Sequence, residues 1–142
     1  MADERDSVIP IESDADVVTA RQRARQLAGE LELTSTDQTL LATAISEVAR
    51  NITTYAVRGE VLLSVVRDDN GRAGIQVIAR DDGPGIEDVE LALQDGYTSG
   101  GGLGLGLPGA RRLVDDFHIE TALGQGTKVT LVMWARPNSR AA

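Results

Sequence analysis

The 142-residue chain has no cysteine and only 3% aromatic residues. The first absence excludes a disulfide framework, a thiolate metal site and a cysteine nucleophile. The second means that the core is built from Val, Leu, Ile and Ala. Long apolar runs are missing too, and none approaches the roughly 18 residues that a membrane span requires. The opening MADERDSVIP lacks the basic-then-apolar succession of a secretory leader, so a cytoplasmic protein is expected. Positive charge is scarce: a net charge of −8 and a pI near 4.6 argue against a nucleic-acid binder, which carries a basic stripe. A phosphate ligand is not excluded, because helix N-termini and glycine-rich backbone bind phosphate through N–H groups.

What is present reads as one α/β domain, with an ordered core over about residues 8–135 and a disordered tail at 136–142. Val8 to Ile11 forms a short strand. Val17 to Leu33 is periodic as a helix, with Val17, Ala20, Ala24, Leu27, Ala28 and Leu31 on one side. A second helix, capped by Ser35 or Thr36, runs to about Tyr55 with Leu41, Ala44, Ile45, Val48 and Ile52 on its apolar face. Segments 60–67, 73–80 and 126–134 alternate as strands, and Asn70-Gly71 between the first two is a short-hairpin signal. A helix over about Pro108–Asp116 and a strand in "FHIETA" complete the pattern. Alternation of this kind indicates a sheet buried on one face. The expected fold is a two-layer α/β sandwich, a mostly antiparallel sheet with helices on one face.

Four short stretches carry candidate chemistry. In "ISEVARNITTY", Glu47 and Asn51 are four apart and stack on one side of the helix, at the edge of its apolar face. They are either a surface pair or a proton-accepting carboxylate and a hard amide ligand for Mg²⁺. Asp81, in "DDGPG", ends a strand. It belongs to a plain turn, or it accepts a hydrogen bond from an exocyclic amine such as adenine's while Gly83 and Gly85 let backbone approach the ring. In "TSGGGLGLGLPGA" leucines alternate with glycines just before a helix, an arrangement that offers backbone N–H groups to a phosphate chain. It lacks the Gly-Lys-Ser/Thr ending of a P-loop and the βαβ context of a dinucleotide fingerprint. Finally, "GQGTKVTL" places Thr127 at a strand start, which alone is an ordinary hairpin feature.

Taken in order, Glu47/Asn51, Asp81/Gly83/Gly85, Gly102/Gly104/Gly106 and Gly126/Thr127 resemble the boxes of the GHKL ATP-binding family (Bergerat-type fold). The resemblance implies Mg·ATP between the helical layer and the sheet, with Glu47 as catalytic base and Asn51 as metal ligand. It also implies a nucleotide-binding set of Asn51, Asp81, Gly83, Gly85, Ile86, Gly100, Gly101, Gly102, Leu103, Gly104, Leu105, Gly106 and Thr127, in which segment 98–107 closes over the triphosphate. Length disfavours the topoisomerase, chaperone, repair and histidine-kinase branches, and the single histidine, His118, reads as an ordinary strand residue. Stretches such as "ARQRARQLAGELELTSTDQTLLATAISEVARNI" and "DGYTSGGGLGLGLPGARRLVDDF" look close to the stressosome switch kinases. That likeness implies phosphorylation of STAS-domain proteins and activation of a PP2C-type phosphatase by the released kinase. The rivals are an anti-sigma factor kinase that sequesters a sigma factor, and a nucleotide-gated binding switch without transfer. Arg50, Arg111 and Arg112 are candidate arginine fingers or members of a solvated helix face.

Overall fold

The computed structural model describes residues 5–56, 58–85 and 106–136. In chain order these form β1 (Ser7–Ile11), α1 (Asp14–Glu30), α2 (Ser35–Tyr55), β2 (Gly59–Arg67), β3 (Ala73–Asp81), α3 (Gly106–Leu113), β4 (Asp116–Thr121) and β5 (Thr127–Trp134). The strands make one sheet in the order β1-β2-β3-β5-β4, every neighbouring pair antiparallel. Period-two alternation decides which face is covered. Ile9, Ile11, Val61, Leu63, Ile75, Val77, Ala79, Val129, Leu131 and Met133 are buried, and they form one core with the inner sides of α1 and α2. The sandwich expected from the sequence is the observed fold.

The boundaries shift for identifiable reasons. The first helix begins at Asp14 and stops at Glu30, three residues short of the expected Leu33. Glu32 takes φ 62, its N–H reaches the Gly29 carbonyl, and the Leu33 N–H reaches that of Ala28. This is a Schellman stop with Glu where Gly is usual, and Leu33 is buried as its apolar anchor. On α2 the N-cap is Thr34 rather than Ser35 or Thr36, its Oγ1 accepting from the Asp37 N–H at 3.0 Å. The β2–β3 connection pairs Arg67 with Ala73, so it is a five-residue loop rather than a two-residue turn on Asn70-Gly71. Asp68 organises it, its Oδ1 accepting from the N–H groups of Asn70 and Arg72. These bonds and the Arg72 guanidinium hold the Asp68 carboxyl below its ordinary range. The third helix starts at Gly106, ahead of the expected Pro108, and ends at Leu113.

Arg136, assigned to a disordered tail by its composition, is tied down. Its guanidinium bonds Asp37 at 3.0 Å and Asp115 at 2.7 Å, and the first of these keeps the buried Asp37 side chain paired. Two carboxylate partners raise the Arg136 pKa further. Residues 137–142 lie outside the described residues. The clamp sits at the start of α2 and the end of β5, so it anchors the pole of the sandwich opposite Asp81 and Thr127. If Thr34 is the cap, Thr34→Ala lowers unfolding free energy by about 1 kcal/mol in a denaturant titration, while Ser35→Ala and Thr36→Ala change it much less.

Candidate active site

Helix α2 carries Glu47 and Asn51 toward the pole where β3 ends and β5 begins. Glu47 is only 10% exposed at its side chain. Its Oε2 accepts from the backbone N–H of Gly106 at 2.9 Å, and its Oε1 lies 3.3 Å from the Arg50 guanidinium. Gly106 has φ +67, a conformation suited to glycine, and opens α3. The carboxylate is therefore docked at the first N–H of a helix, where the macrodipole favours negative charge. Two of its roughly four lone-pair positions are used. Arg50, a candidate arginine finger, pairs with Glu47, while Arg111 and Arg112 lie on the exposed side of α3. Asn51 is half-buried one turn on from Glu47, and its side chain has no hydrogen bond among the described residues.

Asp81 closes β3 on the same face as Ala79 and Val77, directed at the helical layer. Its Oδ1 accepts from the Gly83 N–H at 2.8 Å. Burial pushes the Asp81 carboxyl above its ordinary pKa; the N–H groups of Gly83 and Thr127 pull down against it, and Asp82 adds a small upward push. A half-desolvated carboxylate at a strand end can accept from a ligand's N–H. Thr127 pairs with Asp81 across the β3–β5 ladder and is 7% exposed. Beside it an open depression of about 380 Å³ is lined by Asp81, Thr121, Gly126 and Thr127, with Arg80 and Lys128 on its outer side.

The glycines here have packing reasons of their own. A Cβ on Gly126 would stand 2.0 Å from the Asp81 carbonyl oxygen, and one on Gly85 would stand 2.2 Å from that of Ala122; both residues also have positive φ. The Gly124 N–H bonds the Pro84 carbonyl at 2.8 Å. The 81–85 turn and the 122–126 turn are thus stitched together. Gly83 abuts Ala56, just past the end of α2, which brings the turn against the helix. In this structure Gly83 and Gly85 accommodate protein contacts, a role the sequence reading did not give them.

The structure therefore joins Glu47 to Gly106 and joins Asp81 to Gly83, Gly126 and Thr127. Ile86, Gly100, Gly101, Gly102, Leu103, Gly104 and Leu105 lie outside the described residues. Among the described residues no three of His, Cys, Asp and Glu cluster as a metal cage. The donor set still suits Mg²⁺ in one way: the Asn51 amide oxygen, one helical turn from Glu47, has no hydrogen bond among the described residues and is a hard ligand, leaving the other positions to phosphate and water. Sequence reasoning missed Gly59 and Thr121. A glycine heading a strand signals close approach, and a Cβ on Gly59 would strike the Arg80 carbonyl and Ile52. Thr121 gave no signal, because its importance lies in a cross-strand partner.

Comparison with known proteins places this geometry. Residues 36–137 match the family described as histidine kinase-, DNA gyrase B- and HSP90-like ATPase. The chain is 43% identical over 130 residues to the serine/threonine-protein kinase RsbT of Bacillus subtilis (strain 168), covering 92% of this chain and 97% of that one. It is 30% identical over 125 residues to an anti-sigma F factor of Caldanaerobacter subterraneus subsp. tengcongensis, covering 84% and 85% of the two chains. The fold is similar to that of a crystal structure of the RsbU and RsbW domains of a Mycobacterium tuberculosis protein, with TM-score 0.56 and 21% identity. That alignment covers 92% of this chain and spans a third of the other (33%). No helix among the described residues is long and apolar enough to cross a membrane. The chain belongs to the histidine kinase-, DNA gyrase B- and HSP90-like ATPase family, as a serine/threonine-protein kinase of the RsbT type.

Proposed function

We propose that this kinase, working in the cytoplasm, phosphorylates a serine or threonine of STAS-domain stressosome proteins and, once released, binds and activates a PP2C-type phosphatase. The observation that carries the catalytic part is the Glu47 carboxylate, nearly buried and docked at the N-terminus of α3 by the Gly106 N–H. A helix N-terminus of this kind suits phosphate oxygens, and a carboxylate beside it suits the proton of an attacking hydroxyl.

The adenine lies against Asp81 and Thr127. Ile86 and the segment Gly100–Gly106 contribute to nucleotide binding, the glycine-rich backbone toward the phosphates. Asn51 would hold Mg²⁺, which would supply charge neutralisation for the phosphates. In the transfer the oxygen of the partner's hydroxyl forms a bond to the γ-phosphorus as the bond from that phosphorus to the β,γ-bridging oxygen breaks. ADP leaves, and the hydroxyl proton passes to Glu47. Arg50, bonded to the far oxygen of that carboxylate, orients it. Most of the acceleration comes from positioning and electrostatics. Likeness to an anti-sigma F factor supports a second reading, in which the chain sequesters a sigma factor and phosphorylates a STAS antagonist of it.

Mixing the protein with γ-labelled Mg·ATP and a panel of STAS-domain proteins tests the proposal, with Asn51→Ala as control. Label on a stressosome STAS scaffold, lost in the control, is the expected result. Binding without transfer to any partner contradicts it in favour of a nucleotide-gated switch, and stable capture of a sigma factor favours the second reading. Glu47→Ala retains ATP binding and loses transfer by about 10²–10⁴-fold; normal transfer refutes the base assignment. Asp81→Asn weakens ATP by about ten- to a hundredfold, the worth of a charged hydrogen bond. The same change separates binding from stability. A carboxyl whose pKa is raised by folding binds its proton more tightly in the folded state, so its ionised form costs stability at neutral pH. That cost disappears as pH falls below the ordinary value of 3.8. Asp81→Asn therefore melts at or above the wild-type temperature at pH 7, and the gap closes in acid; a lower melting temperature at pH 7 contradicts the sign.

A further inference from the structure

Thr121 closes β4 and Thr127 opens β5, and the ladder sets them directly opposite each other. Their Oγ1 atoms are 3.0 Å apart, a hydrogen bond whose direction the heavy atoms alone leave open. A second contact settles it. Thr121 Oγ1 also lies 2.9 Å from the Gly126 carbonyl oxygen, which can only accept. A hydroxyl has one proton. Thr121 spends its proton on Gly126, so the proton between the two hydroxyls belongs to Thr127. The hydroxyl oxygen of Thr127, a buried residue, then has lone pairs alone to offer the depression that Thr127 lines with Asp81.

The Gly126 carbonyl is a fixed point in this chain of bonds. Gly126 has φ +80, and its backbone is pressed against Asp81, leaving no room for even a methyl group. The residue that bears the recognising carboxylate therefore also fixes the carbonyl that takes the Thr121 proton. Both groups presented at this strand end are acceptors: the Asp81 carboxylate and the Thr127 hydroxyl oxygen.

We infer that Thr121 is a specificity-determining positioning residue: by taking the Thr127 proton it leaves the Asp81 carboxylate and the Thr127 hydroxyl side by side as two acceptors, a pair that selects a purine with a 6-amino donor over one with a 6-oxo acceptor. This rests on the proposed binding of ATP at Asp81. With the Thr121 hydroxyl removed, the Thr127 proton is released toward the ligand and Thr127 becomes able to donate to a 6-oxo group.

Equilibrium binding of non-hydrolysable ATP and ITP analogues to the full chain tests this, in wild type and in Thr121→Val, Thr121→Ala and Thr121→Ser. Thermal melts identify which variants are folded. Wild type is expected to prefer ATP. Thr121→Val loses about five- to tenfold in ATP affinity, the worth of one hydrogen bond, while ITP holds or tightens. The ATP:ITP ratio then falls by at least that factor, and Thr121→Ser restores it. If the valine variant does not fold, the alanine variant is read in its place. Wild type that binds ATP and ITP alike overturns the two-acceptor arrangement without any variant. A folded Thr121→Val that keeps the wild-type ratio, or Thr121→Ser that loses it equally, overturns the role of the hydroxyl. Wild type that binds neither nucleotide refutes instead the ATP reading on which the inference rests.

Discussion

Among the described glycines the tightest approach is that of Gly126 to the Asp81 carbonyl, where any side chain would collide. The pole that carries Asp81 and Thr127 is built around it. The β3–β5 ladder sets Asp81 opposite Thr127, and the glycine before Thr127 lets the incoming turn cross the end of β3. Because side chains alternate along a strand, the register that buries Val77, Ala79, Val129 and Leu131 also aims Asp81 and Thr127 at the helical layer. A slip of one residue would bury Arg80 and Lys128 and turn the Asp81 carboxylate to the outside. Fold and site share one register.

Helix α2 spans the molecule between two poles of different character. At its start, Asp37 is neutralised by Arg136 and capped through Thr34, which locks the helix to the end of β5. Fourteen residues on, at about 1.5 Å each, Asn51 faces the other pole with a half-buried amide that has no partner among the described residues. Charges at the first pole are satisfied internally. Those at the second retain capacity: Asp81 is left with a raised pKa, and Glu47 with lone pairs beyond its bonds to Gly106 and Arg50. Polar groups kept half-desolvated at one end and paired at the other are the arrangement expected of a rigid scaffold carrying a binding site.

Much of this was legible in the sequence because periodicity reports burial. The five strands, the apolar face of α2 and the one-sided sheet follow from alternation and 3.6-residue spacing. Glu47, Asn51 and Asp81 stood out as candidates because each sits in a short motif whose order along the chain matches a family. What was missed depended on contacts between distant residues. The Schellman stop at Glu32 hides behind a non-glycine residue, and the Asp68 side chain overrides the Asn-Gly turn signal. Arg136 looked like tail until its partners, Asp37 and Asp115, were brought to it from 99 and 21 residues away. Thr121 has no motif at all, since the direction of one hydroxyl proton emerges only when β4, β5 and the Gly126 carbonyl are assembled.

The most direct test is a crystal structure of the chain with Mg²⁺ and a non-hydrolysable ATP analogue. The expected result is a 6-amino group within about 3.2 Å of the Asp81 carboxylate, the Thr127 hydroxyl beside the base, and phosphates directed toward Asn51 and the start of α3. A base that makes no contact with Asp81, or a nucleotide seated away from the α2 face of the sheet, would contradict the account.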